Sequence, residues 1–112
     1  MAREDIFDLS GKVALITGGG SGIGRAYCEE IAEFGADVAC NDIIGEKAQE
    51  TIQLLDKHGH RAIAIKADAS NEAEINNMVE TTLRELGSVD IVFANATLLD
   101  TRTVRIHEMS VN

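Results

Sequence analysis

Proline and tryptophan are absent from this 112-residue chain, and aromatic side chains make up only 4% of it. With no internal repeat and no low-complexity stretch either, a proline-rich linker or a repeat array is excluded. Basic residues are scarce, 10 Lys and Arg against 19 Asp and Glu, for a formal charge of −9. No run of lysine or arginine forms, which disfavours binding to a nucleic-acid backbone. The acidic balance by itself speaks only for solubility. No apolar run approaches the roughly 18–20 residues that a membrane span requires. The polar opening Met1-Ala2-Arg3-Glu4-Asp5 leads into no long apolar region. Neither a signal peptide nor membrane association is therefore expected, and the expected location is cytoplasmic. There are two cysteines, Cys28 and Cys40, and they fall inside a predicted helix and a predicted strand. Buried reduced thiols are favoured over a disulfide or a metal site. His58 and His60 flank Gly59, His107 lies far away, and no cysteine or carboxylate completes a ligand spacing, so no metal is expected.

What the chain does have is length for about one domain with a real core, 45% hydrophobic and 26% charged residues, and a dense glycine cluster. The cluster is Thr17-Gly18-Gly19-Gly20-Ser21-Gly22-Ile23-Gly24. It follows the apolar run Val13-Ala14-Leu15-Ile16, which reads as a buried parallel strand, and precedes a helical pattern of Ile23, Ala26, Tyr27, Ile31 and Phe34. A helix opens with unpaired N–H groups and a partial positive charge, so it attracts phosphate. Glycines there let the backbone bend sharply and let a pyrophosphate approach without meeting a Cβ. A glycine-rich turn without a ligand is the plainer alternative.

Strand and helix alternate along the rest of the chain. Strands are expected over 12–17, 37–41, 61–66 and 89–94, and helices over 22–34, 45–58 and from a cap at Ser70 or Asn71 to Leu86. Gly35, Gly59 and Gly87 stand after the three helices, Gly35 as a left-handed cap. Ala48, Ile52 and Leu55 share one face of the second helix, and Ile75, Met78, Val79, Leu83 and Leu86 one face of the third. Ala62-Ile63-Ala64-Ile65 reads as a strand covered on both faces. The expected fold is thus α/β, a Rossmann-type doubly wound parallel sheet in the order 3-2-1-4 with helices on both faces, as one domain over 1–112. Its ligand belongs at the carboxyl ends of strands one and four, where the winding reverses.

The glycine spacing is not G-x-G-x-x-G. It fits T-G-x-x-x-G-I-G, with Thr17, Gly18, Gly22, Ile23 and Gly24 in the fixed positions. That pattern resembles the short-chain dehydrogenase/reductase family, and the resemblance runs from about Leu9 to Ala96. The cofactor-binding set it implies begins with Gly18, Ser21, Gly22, Ile23 and Gly24. Asp42, eighteen positions after Gly24, ends strand two with Ile43 beside it. A carboxylate there can accept hydrogen bonds from the adenosine ribose. It would also repel a 2′-phosphate by about 1–4 kcal/mol per charge pair, so NAD(H) is expected over NADP(H). Asp42 could equally cap its own turn. Arg25, just past the last loop glycine, could meet a phosphate or point to solvent. The resemblance also implies that Asp68 and the Ala69 amide face the adenine, the alternative being that Asp68 caps the next helix turn. Asn95-Ala96 resembles the family's N-A-G, in which the Asn braces the sheet and the small residues leave room for the cofactor ribose; Thr97 stands where that motif has glycine.

Family members interconvert an alcohol and a carbonyl, with a Ser, and a Tyr and Lys in Y-x-x-x-K, often with an Asn. The single tyrosine here is Tyr27, and Ile31 stands four places on. Val111-Asn112 resembles the family's V-N, but only seventeen positions separate Asn112 from Asn95, fewer than the family's spacing. His107-Glu108-Met109-Ser110 resembles the lead-in to a helix instead. The expectation is a cofactor-binding half that stops short of the catalytic segment and is inactive alone. Its partners would be a small alcohol or carbonyl substrate and, by family analogy, further copies of itself. A non-catalytic nucleotide-binding or interaction domain is the alternative. An apolar fourth strand left at the sheet edge would favour self-association.

Overall fold

The computed structural model describes residues 8–95. Four strands, β1 (Val13–Thr17), β2 (Asp37–Asp42), β3 (Ala62–Lys66) and β4 (Ile91–Ala94), form one sheet in the order β3-β2-β1-β4. All three pairings are parallel, with Leu15 opposite Ala39 and Val92, and Ala39 in turn opposite Ile63. Three helices make the crossovers: α1 (Gly22–Glu33), α2 (Gly45–Leu55) and α3 (Glu72–Leu86). The fold class and strand order read from the sequence are those observed.

Side chains alternate across the strands and so feed two separate cores. Ala14, Ile16, Val38 and Cys40 meet Cys28, Ile31 and Ala32 of α1 and Ala48 and Leu55 of α2. Val13, Leu15, Ala39 and Val92 meet Ile75, Met78 and Leu86 of α3 on the opposite face. Burying these side chains supplies most of the driving force, roughly 1.5–3 kcal/mol for each large aliphatic one.

Several boundaries and faces differ from expectation, each for a physical reason. The buried face of α1 is Gly24, Cys28, Ile31 and Ala32, whereas Ile23 and Tyr27 are exposed. Ile31 is buried as expected, but the first turns of the helix lie so close to the glycine loop that Gly24 and Cys28, not the bulkier Ile23 and Tyr27, face inward. On α2 the buried set is Ala48, Thr51 and Leu55, with Ile52 half-buried. That helix ends at Leu55 and tightens into a 3₁₀ turn, Asp56–His58. On α3, Leu83 is exposed. Strand β3 has both faces against a core, Ala62 and Ala64 on one side and Ile63 and Ile65 on the other, but is only half-buried because it forms a sheet edge. Strand β4 starts at Ile91, since the Asp90 carboxylate takes the Val13 amide just before the ladder begins. Asn71 is the cap of α3, accepting from the Glu74 amide, and Gly35 follows α1 in the left-handed region at φ 107°.

Candidate functional site

The carboxyl ends of β1, β2 and β4 meet the glycine loop, and nearly every polar group of the loop's inner side is tied down. Thr17 is buried, and its hydroxyl accepts from the Asn95 amide at 3.0 Å. The Asn95 side chain donates to the Gly18 carbonyl at 3.4 Å. Gly19 donates to the Asn41 carbonyl at 2.8 Å, and its own carbonyl accepts from the buried Thr51 hydroxyl at 2.7 Å. The Gly20 amide donates to Asp42 Oδ2 at 3.0 Å, while its carbonyl accepts from the Arg25 guanidinium.

Close packing explains the glycines. A Cβ on Gly24 would drive into the Gly18 carbonyl oxygen and sit 2.8 Å from Asn95 Nδ2, so a side chain there would push α1 off the loop. A Cβ on Gly19 would stand 2.7 Å from Cys40 Sγ and 3.0 Å from Cys28 Sγ. The two thiols are free, fully buried fillers beneath the loop. The hydrogen bond Cys28 makes with Cys40, and burial after it, push the Cys28 thiol far above its ordinary range, so it stays protonated.

The outer side of the loop is different. Gly22 lies in the left-handed region at φ 57°, and a Cβ built on it meets nothing within 4 Å. Ser21 occupies the cap position of α1, yet its side chain makes no capping bond, and the first turn carries no acidic residue. The other two helices answer their own N-termini: α2 with Glu46 in its first turn, α3 with Glu72, Glu74 and the Asn71 cap. The amides of Gly22, Ile23 and Gly24 have no carbonyl one turn back. The first turn of α1 therefore carries its positive end without an acidic residue of its own or a side-chain cap. Ile23, 72% exposed, and Ile43, 59% exposed, supply apolar surface at the ends of this cradle.

Asp42 holds the loop rather than standing free. Its Oδ2 takes the Gly20 amide and its Oδ1 the Ile44 amide at 2.9 Å, so the turn-capping role is realised. A carboxylate has about four acceptor positions, which leaves capacity for ribose hydroxyls. Arg25 does not point to solvent: Nε donates to Thr51 Oγ1 at 3.0 Å, and a terminal nitrogen pairs with Glu50 at 3.0 Å.

Asp68 directs Oδ1 at the Ser70 hydroxyl (2.6 Å) and amide (2.9 Å) in a local turn, and these two bonds, the hydroxyl's first, hold its carboxyl below the usual carboxylate range. It does not cap α3; Asn71 does. Ala69 is half-buried against the α3-side core. Ala96 and Asn112, like Thr97, lie outside the described residues.

Two contributors, Asn41 and Thr51, were not singled out in the sequence, and Arg25 was weighed there only as a phosphate partner or a solvent-facing residue. Buried Asn41 donates to the Ile65 and Ala67 carbonyls, each at 3.0 Å, and so fixes the segment that carries Asp68 alongside β2. Thr51 and Arg25 clamp the loop from α2 and α1. The available signal was polarity out of place: an asparagine ending a buried run and a threonine on an apolar helix face. Among the described residues no group of three His, Cys, Asp or Glu side chains comes together, and no helix is long and apolar enough to cross a membrane.

Comparison with known proteins matches residues 12–112 to the short chain dehydrogenase family. The hydroxynaphthalene reductase-like protein Arp2 of Metarhizium robertsii is 45% identical over 96 residues, covering 85% of this chain and 36% of that protein. The short-chain dehydrogenase/reductase homolog YusS of Bacillus subtilis is 41% identical over 88 residues, 78% of this chain and 81% of that one. Among solved structures, a 7α-hydroxysteroid dehydrogenase complexed with NADH and 7-oxo glycochenodeoxycholic acid superposes with a TM-score of 0.77 at 34% identity, over 82% of this chain and 37% of that one. The chain thus spans about a third of the length of the reductase-like relative, 36%.

Proposed function

Because this chain belongs to the short-chain dehydrogenase/reductase family, we propose that it is the cofactor-binding half of an NAD(H)-dependent oxidoreductase acting on a small alcohol or carbonyl compound. The observation that carries this reading is the uncapped, carboxylate-free N-terminus of α1, opening above a glycine at which a Cβ would meet only space. The backbone amides of Ser21, Gly22, Ile23 and Gly24 would hold the pyrophosphate. Asp42, with Ile43 beside it, would hold the adenosine ribose, and the Asp68–Ala69 segment would face the adenine. Asn95 would keep the Gly18 turn open, with Ala96 leaving room for the second ribose.

When bound, a nicotinamide cofactor supplies the hydride chemistry. The 112 residues supply binding and orientation. They hold no Y-x-x-x-K, and the one tyrosine, Tyr27, is stacked on Phe93 with ring centroids 3.9 Å apart. Among the described residues no side chain is set as an acid/base for a substrate oxygen, so the chain alone is expected to bind cofactor without turning it over. That also keeps a second reading in play, a nucleotide-binding domain without catalysis. By family analogy the complete protein is a cytoplasmic homo-oligomer.

NAD preference rests on Asp42. Its charge would stand beside a 2′-phosphate and raise the energy of NADP(H) binding by about 1–4 kcal/mol. Fluorescence titration of the chain with NADH and NADPH is the test. NADH is expected to bind at least about fivefold tighter, and Asp42→Asn, which removes charge but keeps an acceptor for the loop, should narrow the gap. Equal affinity of the wild type for both would defeat the preference, and failure to bind either would defeat the functional reading itself.

A further inference from the structure

Arg25 is a loop-adjacent cation whose role the cofactor reading leaves open. Its side chain is only 26% exposed and is bonded on three sides. Nε donates to Thr51 Oγ1 at 3.0 Å, and one terminal nitrogen donates both to the Gly20 carbonyl and to Glu50 Oε1, the latter at 3.0 Å. The hydroxyl of Thr51, fully buried, donates in turn to the Gly19 carbonyl at 2.7 Å. Two consecutive loop carbonyls are thereby drawn back toward α2 by one connected pair of side chains.

A trans peptide is planar, so its C=O and N–H point in opposite directions. Pinning the Gly19 carbonyl to Thr51 sends the Gly20 amide the other way, where Asp42 Oδ2 receives it. Pinning the Gly20 carbonyl to Arg25 likewise sends the Ser21 amide away from α2, toward the open side of the α1 N-terminus. We propose that Arg25, acting through Thr51 and the Gly20 carbonyl, is a positioning residue that presets the glycine loop for a pyrophosphate, without itself touching a phosphate. This rests on the cofactor-binding reading above. The charge of Arg25 is already answered by Glu50 and three oxygen acceptors, Thr51 Oγ1 and the Gly20 and Lys47 carbonyls, so its work is geometric: the loop needs no rearrangement when the anion arrives.

The planar fork matters as well. Arginine can donate to a hydroxyl and a carbonyl in fixed directions at once, whereas a lysine ammonium is a single point at the end of a flexible stem. Lysine at this position should fail to restore the loop even though it restores the charge.

The test uses the 112-residue chain, with Arg25→Met, Arg25→Lys and Thr51→Val compared with wild type. Arg61→Met serves as control, because Arg61 is equally well bonded, to Asp37 and the Leu86 carbonyl, at the opposite end of the sheet. NADH and NADPH binding are read by fluorescence, ADP-ribose by competition, adenosine by saturation-transfer NMR, and folding by circular dichroism melts. Arg25→Met and Thr51→Val should each weaken NADH and ADP-ribose about tenfold, as loss of a charge-assisted hydrogen bond predicts. Adenosine, which has no pyrophosphate, should change by less than about twofold by the same logic. Arg25→Lys should resemble Arg25→Met, and Arg61→Met should lower the melting temperature without separating the ligands. Unchanged NADH affinity in both variants overturns the proposal while leaving the cofactor reading intact. So does an equal loss for adenosine, which would mark a general loosening. A loss confined to NADPH would make Arg25 a direct phosphate ligand and overturn it too. Wild-type protein that binds neither NADH nor ADP-ribose overturns both, since a preset loop with no phosphate to receive is only packing.

Discussion

The two ends of the sheet use the same polar chemistry to opposite effect. At the amino end, Asp37 takes the Arg61 amide at 2.9 Å and its guanidinium at 2.9 and 3.1 Å, and Arg61 also reaches the Leu86 carbonyl that ends α3. Asp90 takes the Val13 amide and the Ser88 hydroxyl, each at 2.9 Å. Each of these side chains answers a neighbouring group of the chain itself, and the end is sealed. At the carboxyl end Asp42, Arg25 and Asn95 are just as engaged, yet all three pull on the inner side of one loop. What they leave over is a row of amides facing outward. On the proposed reading, binding capacity would come from where satisfaction stops, not from which residue types are present.

The largest way to break this contrast is at Gly24. Gly24→Ala should cost about 1–3 kcal/mol in urea unfolding, because α1 must move off the Gly18 carbonyl. It should abolish NADH binding, and an alanine variant that keeps wild-type stability would mean the helix stands further from the loop than described. Next in size, NADH at a hundred times its dissociation constant should raise stability by about 2.7 kcal/mol. That shift should vanish in Gly24→Ala and persist in Arg61→Met, which separates the two ends directly. Arg61→Met itself should cost only about 1 kcal/mol, since its ion pair is largely exposed.

The smallest effect concerns acid. The Val13 amide, and then the Ser88 hydroxyl, hold the Asp90 carboxyl below the usual carboxylate range. Its folded pKa is depressed, so the stability it contributes is complete above about pH 4 and fades as pH falls through the folded value. Asp90→Ala should therefore be less stable than wild type at neutral pH by well under about 1 kcal/mol, discounted for its exposure. The difference should close toward pH 2 in acid titrations followed by circular dichroism. A gap that widens in acid would reverse the assignment.

The elements and their order were legible because apolar runs, helical spacing and terminal glycines all pointed the same way. The glycine loop was legible from spacing alone. The buried face of α1 was not, because glycine and cysteine, not large apolar residues, meet the sheet where backbones come closest. Asn41 and Thr51, and the part Arg25 plays in holding the loop, were not read for a related reason. Arg25 and Thr51 find each other only after α1 and α2 pack on the same face of the sheet, and nothing local announces that. Asp42 was located correctly, but its engagement with the Gly20 and Ile44 amides depends on a loop folded back over β2.

Tyr27 stacked on Phe93 has a practical corollary. With no tryptophan in the chain, this tyrosine dominates the ultraviolet emission, and its ring rests on the outermost strand, β4. Its intensity and anisotropy are thus a built-in gauge of whether that strand stays seated on the first helix. Excitation of a reduced nicotinamide at longer wavelength leaves the gauge unread. Strand seating and cofactor capture can be followed in one cuvette, each in its own optical window.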